Sequence, residues 1–245
     1  RTLATIAADS IPGAFNDNRQ AVLNGIDVLK GEGFRRLRGL KIGLITNHTG
    51  NDRSRTSTID LLHASKNVQL QKLFSPEHGI RGKLDGKVED GVDSKTGLSI
   101  HSLYGENRQP QAEDLEGLNA LVFDIQDIGC RFYTYISTMG LAMEAAASAG
   151  LEFIVLDRVN PINGVDVGGP VLEGETDFVG FHDIPIRHGM TVGELALMFM
   201  HEKKLSLVLQ IVPVGNWGRE AFFDATNQPW TSPSPNMRNL KEALL

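Results

Sequence analysis

Six short apolar runs, separated by stretches of helical character, constrain this chain more than any other feature. They are KIGLIT (41–46), VQLQKLF (68–74), LSIHSLY (98–104), LNALVFD (118–124), LEFIVLD (151–157) and residues 205–214. The runs at 118–124 and 151–157 are almost wholly apolar, as strands covered on both faces must be. Between the runs, Ser57-x-x-Asp60 and Thr191-x-x-Glu194 have the spacing of helix capping boxes. The second predicts a helix reaching about residue 203. Residues 134–149 place Ile136, Met139, Gly140, Met143 and Ala147 on one helical face. Strand and helix in alternation predict an α/β fold with a doubly wound, mostly parallel sheet. Ligands of such sheets sit beyond the carboxyl ends of the strands, near the point where strand order reverses.

Polar clusters follow four of the runs: Asn47-His48, Pro76-Glu77-His78, Asp124 to Asp127, and Asp157 to Asn160. Residues 77–97 carry five glycines and read as one long loop, a place where function concentrates. From Asn216 the composition changes, with both tryptophans and the run SPSPN (232–236). The expected organisation is a domain over 1–215, opened by a lead over 1–20, and the start of a second, smaller domain over 216–245.

Charge and cysteine content exclude several classes. The net charge is −6, with no basic footprint for nucleic acid. No apolar run is long enough to span a membrane. Cys130 is the single cysteine, so an intrachain disulfide and a CxxC pair are both impossible. The standard motifs miss. Gly82 to Lys87 is one residue short of a phosphate loop, and no G-x-G-x-x-G follows the first strand. His201-Glu202 begins like a zinc-protease helix, but residue 205 is Leu. No G-x-S-x-G is present. No metal or cofactor is implied.

Carboxylate chemistry with polar helpers remains. Glu77 is set between Pro76 and His78-Gly79, with Arg81 close behind; its plain alternative is an exposed loop glutamate. Asp127 is the second candidate, with Gln126, Arg131, Tyr133 and Tyr135 around it. Its alternative is a cap or an ion pair with Arg131. Asn160 ends the third cluster, where an Asp157–Arg158 pair closing a turn is equally open. Arg187 and His188 precede the capped helix. Cys130 reads as a small filler.

These segments together resemble a known family. LITNHTG (44–50), LFSPEHGIRG (73–82), FDIQDIGCRFYTYISTM (123–139), LDRVNPING (156–164), PIRHGMTVGELA (185–196) and PSPNM (233–237) resemble the NamZ-type exo-β-N-acetylmuramidases. The resemblance implies a Rossmann-like domain joined to a smaller C-terminal domain, with a cleft between them. It implies hydrolysis of terminal N-acetylmuramic acid from the non-reducing end of peptidoglycan fragments, and hence a periplasmic or secreted location. It places the catalytic carboxylate at Glu77. Asn47, His48, His78, Arg81, Gln126, Asp127, Arg131, Tyr133, Tyr135, Asn160, Arg187 and His188 become cleft residues. Glycoside hydrolysis uses two carboxyl groups; Asp127, Asp124 and Glu144 are the partners considered for Glu77. The expected partner molecule is a small carbohydrate carrying a lactyl carboxylate, which Arg81, Arg131 or Arg187 can clamp. The rings of Tyr133 and Tyr135 can pack on a sugar face. The competing readings are a non-catalytic muropeptide-binding module and a nucleotide-dependent enzyme.

Overall fold

Each nearly continuous apolar run in the sequence becomes a strand with both faces covered. The computed structural model describes residues 21–76, 79–81, 90–105, 107–234, 237 and 239–244. In chain order the elements are α1 (Gly25–Gly31), β1 (Lys41–Thr46), α2 (Thr58–Ala64), β2 (Gln69–Ser75), β3 (Gly91–Val92), β4 (Ser99–Ser102), α3 (Ala112–Leu115), β5 (Ala120–Asp124), α4 (Tyr135–Ala149), β6 (Glu152–Leu156), β7 (Gly168–Val171), β8 (Pro185–Arg187), α5 (Val192–Glu202), β9 (Leu209–Val212) and α6 (Leu240–Leu244).

Seven strands form one sheet in the order β3-β4-β2-β1-β5-β6-β9, and β7 with β8 forms a separate antiparallel pair. Every pairing in the large sheet is parallel except β3 with β4. Adjacent residues of one strand feed opposite cores, as a side-chain period of two requires. Ile45, Phe123 and Val155 pack under α4 and α5 with Met139, Met143, Leu195 and Phe199. Their neighbours Leu44, Val122 and Ile154 pack under α1 and α2 with Ile26, Leu29, Ile59 and Leu62. No helix among the described residues is long and apolar enough to cross a membrane.

From β1 the chain moves outward to β2 and β4; from β5 it moves the other way, to β6 and β9. Strand order therefore reverses between β1 and β5, and the loops after those two strands flank the crevice a parallel sheet offers a ligand. Five elements go beyond the sequence reading. The helices α1 and α3 are too short to show a period. Gly91 and Val92, inside the segment read as loop, pair with Ile100 and Ser99. The β7–β8 pair is held by the Arg131 guanidinium, which donates to the carbonyls of Pro170 and Ile184.

Residues 216–234 contribute no strand but lie closely on the sheet's loops. Arg219 O accepts from Gly164 N at 2.7 Å and Phe223 N donates to Pro161 O at 3.0 Å. The Gln228 amide donates to Val22 O at 2.6 Å.

Candidate active site

The site is built where β1, β5 and β6 end. Asn47, the first residue past β1, folds back so that its Oδ1 accepts from the amide and hydroxyl of Thr49 at 2.8 and 2.6 Å. Thr49 Oγ1 in turn accepts from Gln126 N at 2.9 Å, which ties the β1 loop to the β5 loop across the reversal point. The Gln126 side-chain amide donates to Asp127 O and to Val159 O, at 2.8 and 3.0 Å. Asn160 Nδ2 donates to Met190 O at 2.9 Å, and Met190 N donates to His188 Nδ1 at 3.2 Å. One run of hydrogen bonds thus joins three strand ends and the entry to α5.

Asp127 sits in a tight turn, its Oδ2 accepting from Gly129 N at 2.7 Å. Gly129 has φ +84°, and a Cβ there would lie 2.3 Å from Asn160 Oδ1. Only glycine permits both the backbone and the approach. His188 Nε2 lies 3.8 Å from Asp127 Oδ2, with the two side chains 1% and 7% exposed. Asn47 Nδ2, Asp127 Oδ1, Arg187 Nε and His188 Nε2 are buried and have no hydrogen-bond partner among the described residues. An unsatisfied buried polar group costs about 1–3 kcal/mol, and more when charged. Asn47 Nδ2 and Arg187 Nε are donors and Asp127 Oδ1 is an acceptor, so these groups suit a polar ligand.

The remaining candidates are already committed. Asp124 is fully buried; its Oδ1 accepts from Arg158 Nε at 2.7 Å and its Oδ2 from the Thr58 hydroxyl at 2.5 Å. Glu144 lies well along α4, paired with Lys203 at 3.0 Å. Of the three carboxylates considered as partners for Glu77, Asp127 is the one with a buried oxygen that has no donor among the described residues. The arginines separate in the same way. Arg81 is held by both oxygens of Asp93, at 2.6 and 2.8 Å, and by Asp60 at 3.1 Å. That guanidinium pulls the Asp93 carboxyl down to about 2. Arg131 braces the β7–β8 pair. Arg187 donates to Ile162 O and lies 3.1 Å from Asp166, yet its Nε has no acceptor. Glu77 and His78 lie outside the described residues.

His48 Nε2 meets Ser232 O at 2.7 Å, and the Tyr135 hydroxyl donates to Pro233 O at 2.8 Å. Residues 232–233 therefore lie against His48 and Tyr135. Tyr133 meets Tyr135 edge to face, the centroids 4.8 Å apart. Tyr135 is buried, so its ring serves the core in this arrangement. Asp157 takes a hydrogen bond from Arg158 N at 3.0 Å, while the Arg158 guanidinium goes to Asp124 rather than to Asp157. Its carboxylate accepts from Gly193 N and from the Thr191 hydroxyl, both at 2.8 Å, at the start of α5. Burial raises its pKa to about 6. The Cys130 thiol is pushed up to about 11 by burial and by nearby Asp127, so it stays protonated at neutral pH. Sequence reasoning missed Arg158 as the partner of Asp124. The signal available was a buried-type strand ending in Asp beside another ending in Asp-Arg.

Residues 42–241 match the family described as Exo-beta-N-acetylmuramidase NamZ, N-terminal. The chain belongs to this family. It is 43% identical, over 244 residues, to the Peptidoglycan beta-N-acetylmuramidase NamZ of Bacillus subtilis (strain 168), a match covering 98% of this chain and 59% of the relative. Two crystal structures of DUF1343 family proteins from Bacteroides fragilis NCTC 9343 are similar to it. One has a TM-score of 0.86 at 48% identity, the other 0.76 at 35%. Each match covers 91% of this chain, and respectively 57% and 59% of the other. The chain thus spans somewhat more than half the length of these NamZ relatives.

Proposed function

We propose that this chain carries the catalytic site of an exo-β-N-acetylmuramidase, a glycosidase that releases terminal N-acetylmuramic acid from the non-reducing end of peptidoglycan fragments. The observation that carries this reading is the 43% identity to a peptidoglycan β-N-acetylmuramidase along nearly the whole chain. The unpartnered polar atoms at the strand ends supply a site for it. In this reading Glu77 is the general acid, protonating the leaving oxygen, and Asp127 is the second carboxylate. Arg187, with its unpartnered Nε, takes the lactyl carboxylate that distinguishes muramic acid from glucosamine. Peptidoglycan fragments lie outside the inner membrane, which favours a periplasmic or secreted location.

The test is hydrolysis of a chromogenic N-acetylmuramic acid β-glycoside beside its N-acetylglucosamine analogue. Release from the first, far above a basal release from the second, is expected. Glu77→Gln is expected to lose at least about a hundredfold in kcat, the scale of a general acid's contribution, with its melting temperature unchanged. Sugar binding with no release would instead establish a binding module. Retained turnover in Glu77→Gln would remove Glu77 from the chemistry.

A further inference from the structure

Asp127 and His188 face each other as an unfinished pair. The His188 ring is sealed from solvent, and its Nδ1 accepts from Met190 N. An Nδ1 that accepts has no proton, so a neutral ring carries its proton on Nε2. Among the described residues, that Nε2–H has no acceptor and Asp127 Oδ1 has no donor. The gap from Nε2 to Oδ2, 3.8 Å, is too long for a direct hydrogen bond. One oxygen placed beside the gap can accept from Nε2–H and donate to the carboxylate. A hydroxyl is the group that does both.

We propose that Asp127 and His188 together bind one hydroxyl oxygen, which accepts from His188 Nε2–H and donates to Asp127. His188 thereby positions the oxygen, and Asp127 takes up its proton density. The proposal rests on the glycosidase reading for its consequence, since that oxygen belongs either to the hydrolytic water or to a sugar hydroxyl. The supporting network is hydrogen-bonded on both sides. Gly129 N fixes the other oxygen of Asp127, and Asn160, through Met190, fixes the ring of His188.

Two near-isosteric variants test the pair. In Asp127→Asn the amide oxygen must stay on Gly129 N, so an NH2 group replaces the free acceptor and opposes the incoming hydroxyl. His188→Gln keeps an N–H donor at similar reach but loses the ring's fixed orientation. Melting temperatures report folding. If the oxygen is water, Asp127→Asn loses at least about a hundredfold in kcat at little change in KM. Sodium azide, which needs no proton removed, then restores turnover and yields the glycosyl azide. If the oxygen is a sugar hydroxyl, KM rises in both variants with kcat nearly kept, and a substrate deoxygenated at that hydroxyl shows no such rise. Folded variants with kcat and KM both within twofold of the parent overturn the proposal.

A readout on the unaltered chain covers variants that fail to fold, and also a parent that turns over no muramic acid glycoside. Proton–nitrogen correlation spectra of the histidine rings are expected to show His188 as the Nε2–H tautomer, shifting when N-acetylmuramic acid is added. An Nδ1–H tautomer, or a ring signal the sugar does not move, overturns the pair whatever the fate of the glycosidase reading.

Discussion

Among Arg81, Arg131 and Arg187, only Arg187 has a buried guanidinium nitrogen with no acceptor among the described residues. Arg81 is engaged by Asp93 and Asp60, and Arg131 gives one guanidinium nitrogen to two backbone carbonyls. A hydrogen bond to a charged group is worth roughly 1.5–3 kcal/mol. Arg187→Gln is therefore expected to lower kcat/KM for the muramic acid glycoside by roughly tenfold to a hundredfold, leaving the glucosamine analogue at its basal rate. Asp166→Asn removes the exposed neighbour of Arg187 and serves as the control, with little effect on either substrate. An equal loss on both sugars would show a positional role only. At this scale the sequence displayed the right residue types but not their commitments. Nothing in the string Asp124-Ile-Gln-Asp127 says that the first aspartate is neutralised by Arg158 and the second left open. That distinction depends on a partner 34 positions away from Asp124, brought close by the parallel pairing of β5 and β6.

The start of α5 shows how an element can depend on pH. Asp157 accepts from Gly193 N and Thr191 Oγ1, while Thr191 accepts from Glu194 N, so the helix is capped twice over. The Asp157 carboxyl nonetheless has its pKa raised from 3.8 to about 6, because burial outweighs those hydrogen bonds. A carboxyl whose folded pKa exceeds its unfolded value contributes most below the unfolded pKa. That contribution is lost as pH rises from about 4 through about 6. Asp157→Asn keeps an acceptor for Gly193 and removes the charge. Its stability relative to the parent is expected to rise between pH 4 and pH 7, read from urea midpoints. A constant difference across that range would mean the carboxyl stays ionised throughout. The Thr191-x-x-Glu194 box was legible because capping is local chemistry. The β7–β8 pair was not, since strands of four and three residues carry too few alternations to stand out, and Arg131 rather than pattern holds them.

At the scale of the molecule, one buried ion pair links most of the pieces that form the crevice. Asp124 ends β5, Arg158 follows β6, Thr58 opens α2, and Arg158 Nη2 donates at 3.0 Å to Asn51 O in the loop beyond β1. The sheet order follows from strand patterning and short connections, which is why the α/β architecture could be read from apolar runs alone. The clamp holding the strand ends in register arises only once β1, β5 and β6 are side by side. Arg158→Met leaves Asp124 charged, buried and unpaired, a change that typically costs about 3–5 kcal/mol. Asp124→Asn together with Arg158→Met removes both charges while keeping an acceptor for the Thr58 hydroxyl. The double variant is therefore expected to be more stable than the sum of the single losses predicts, by roughly 0.5–3 kcal/mol. A double-mutant cycle in urea measures this directly. Strict additivity would show that solvent or other groups neutralise Asp124 when Arg158 is gone, and that the pair does not act as the joint between strand ends. The coupling should also appear in function. Loosening that joint moves the Asp127 loop, so Arg158→Met is expected to lose sugar turnover at temperatures well below its own unfolding midpoint, whereas the double variant regains part of it.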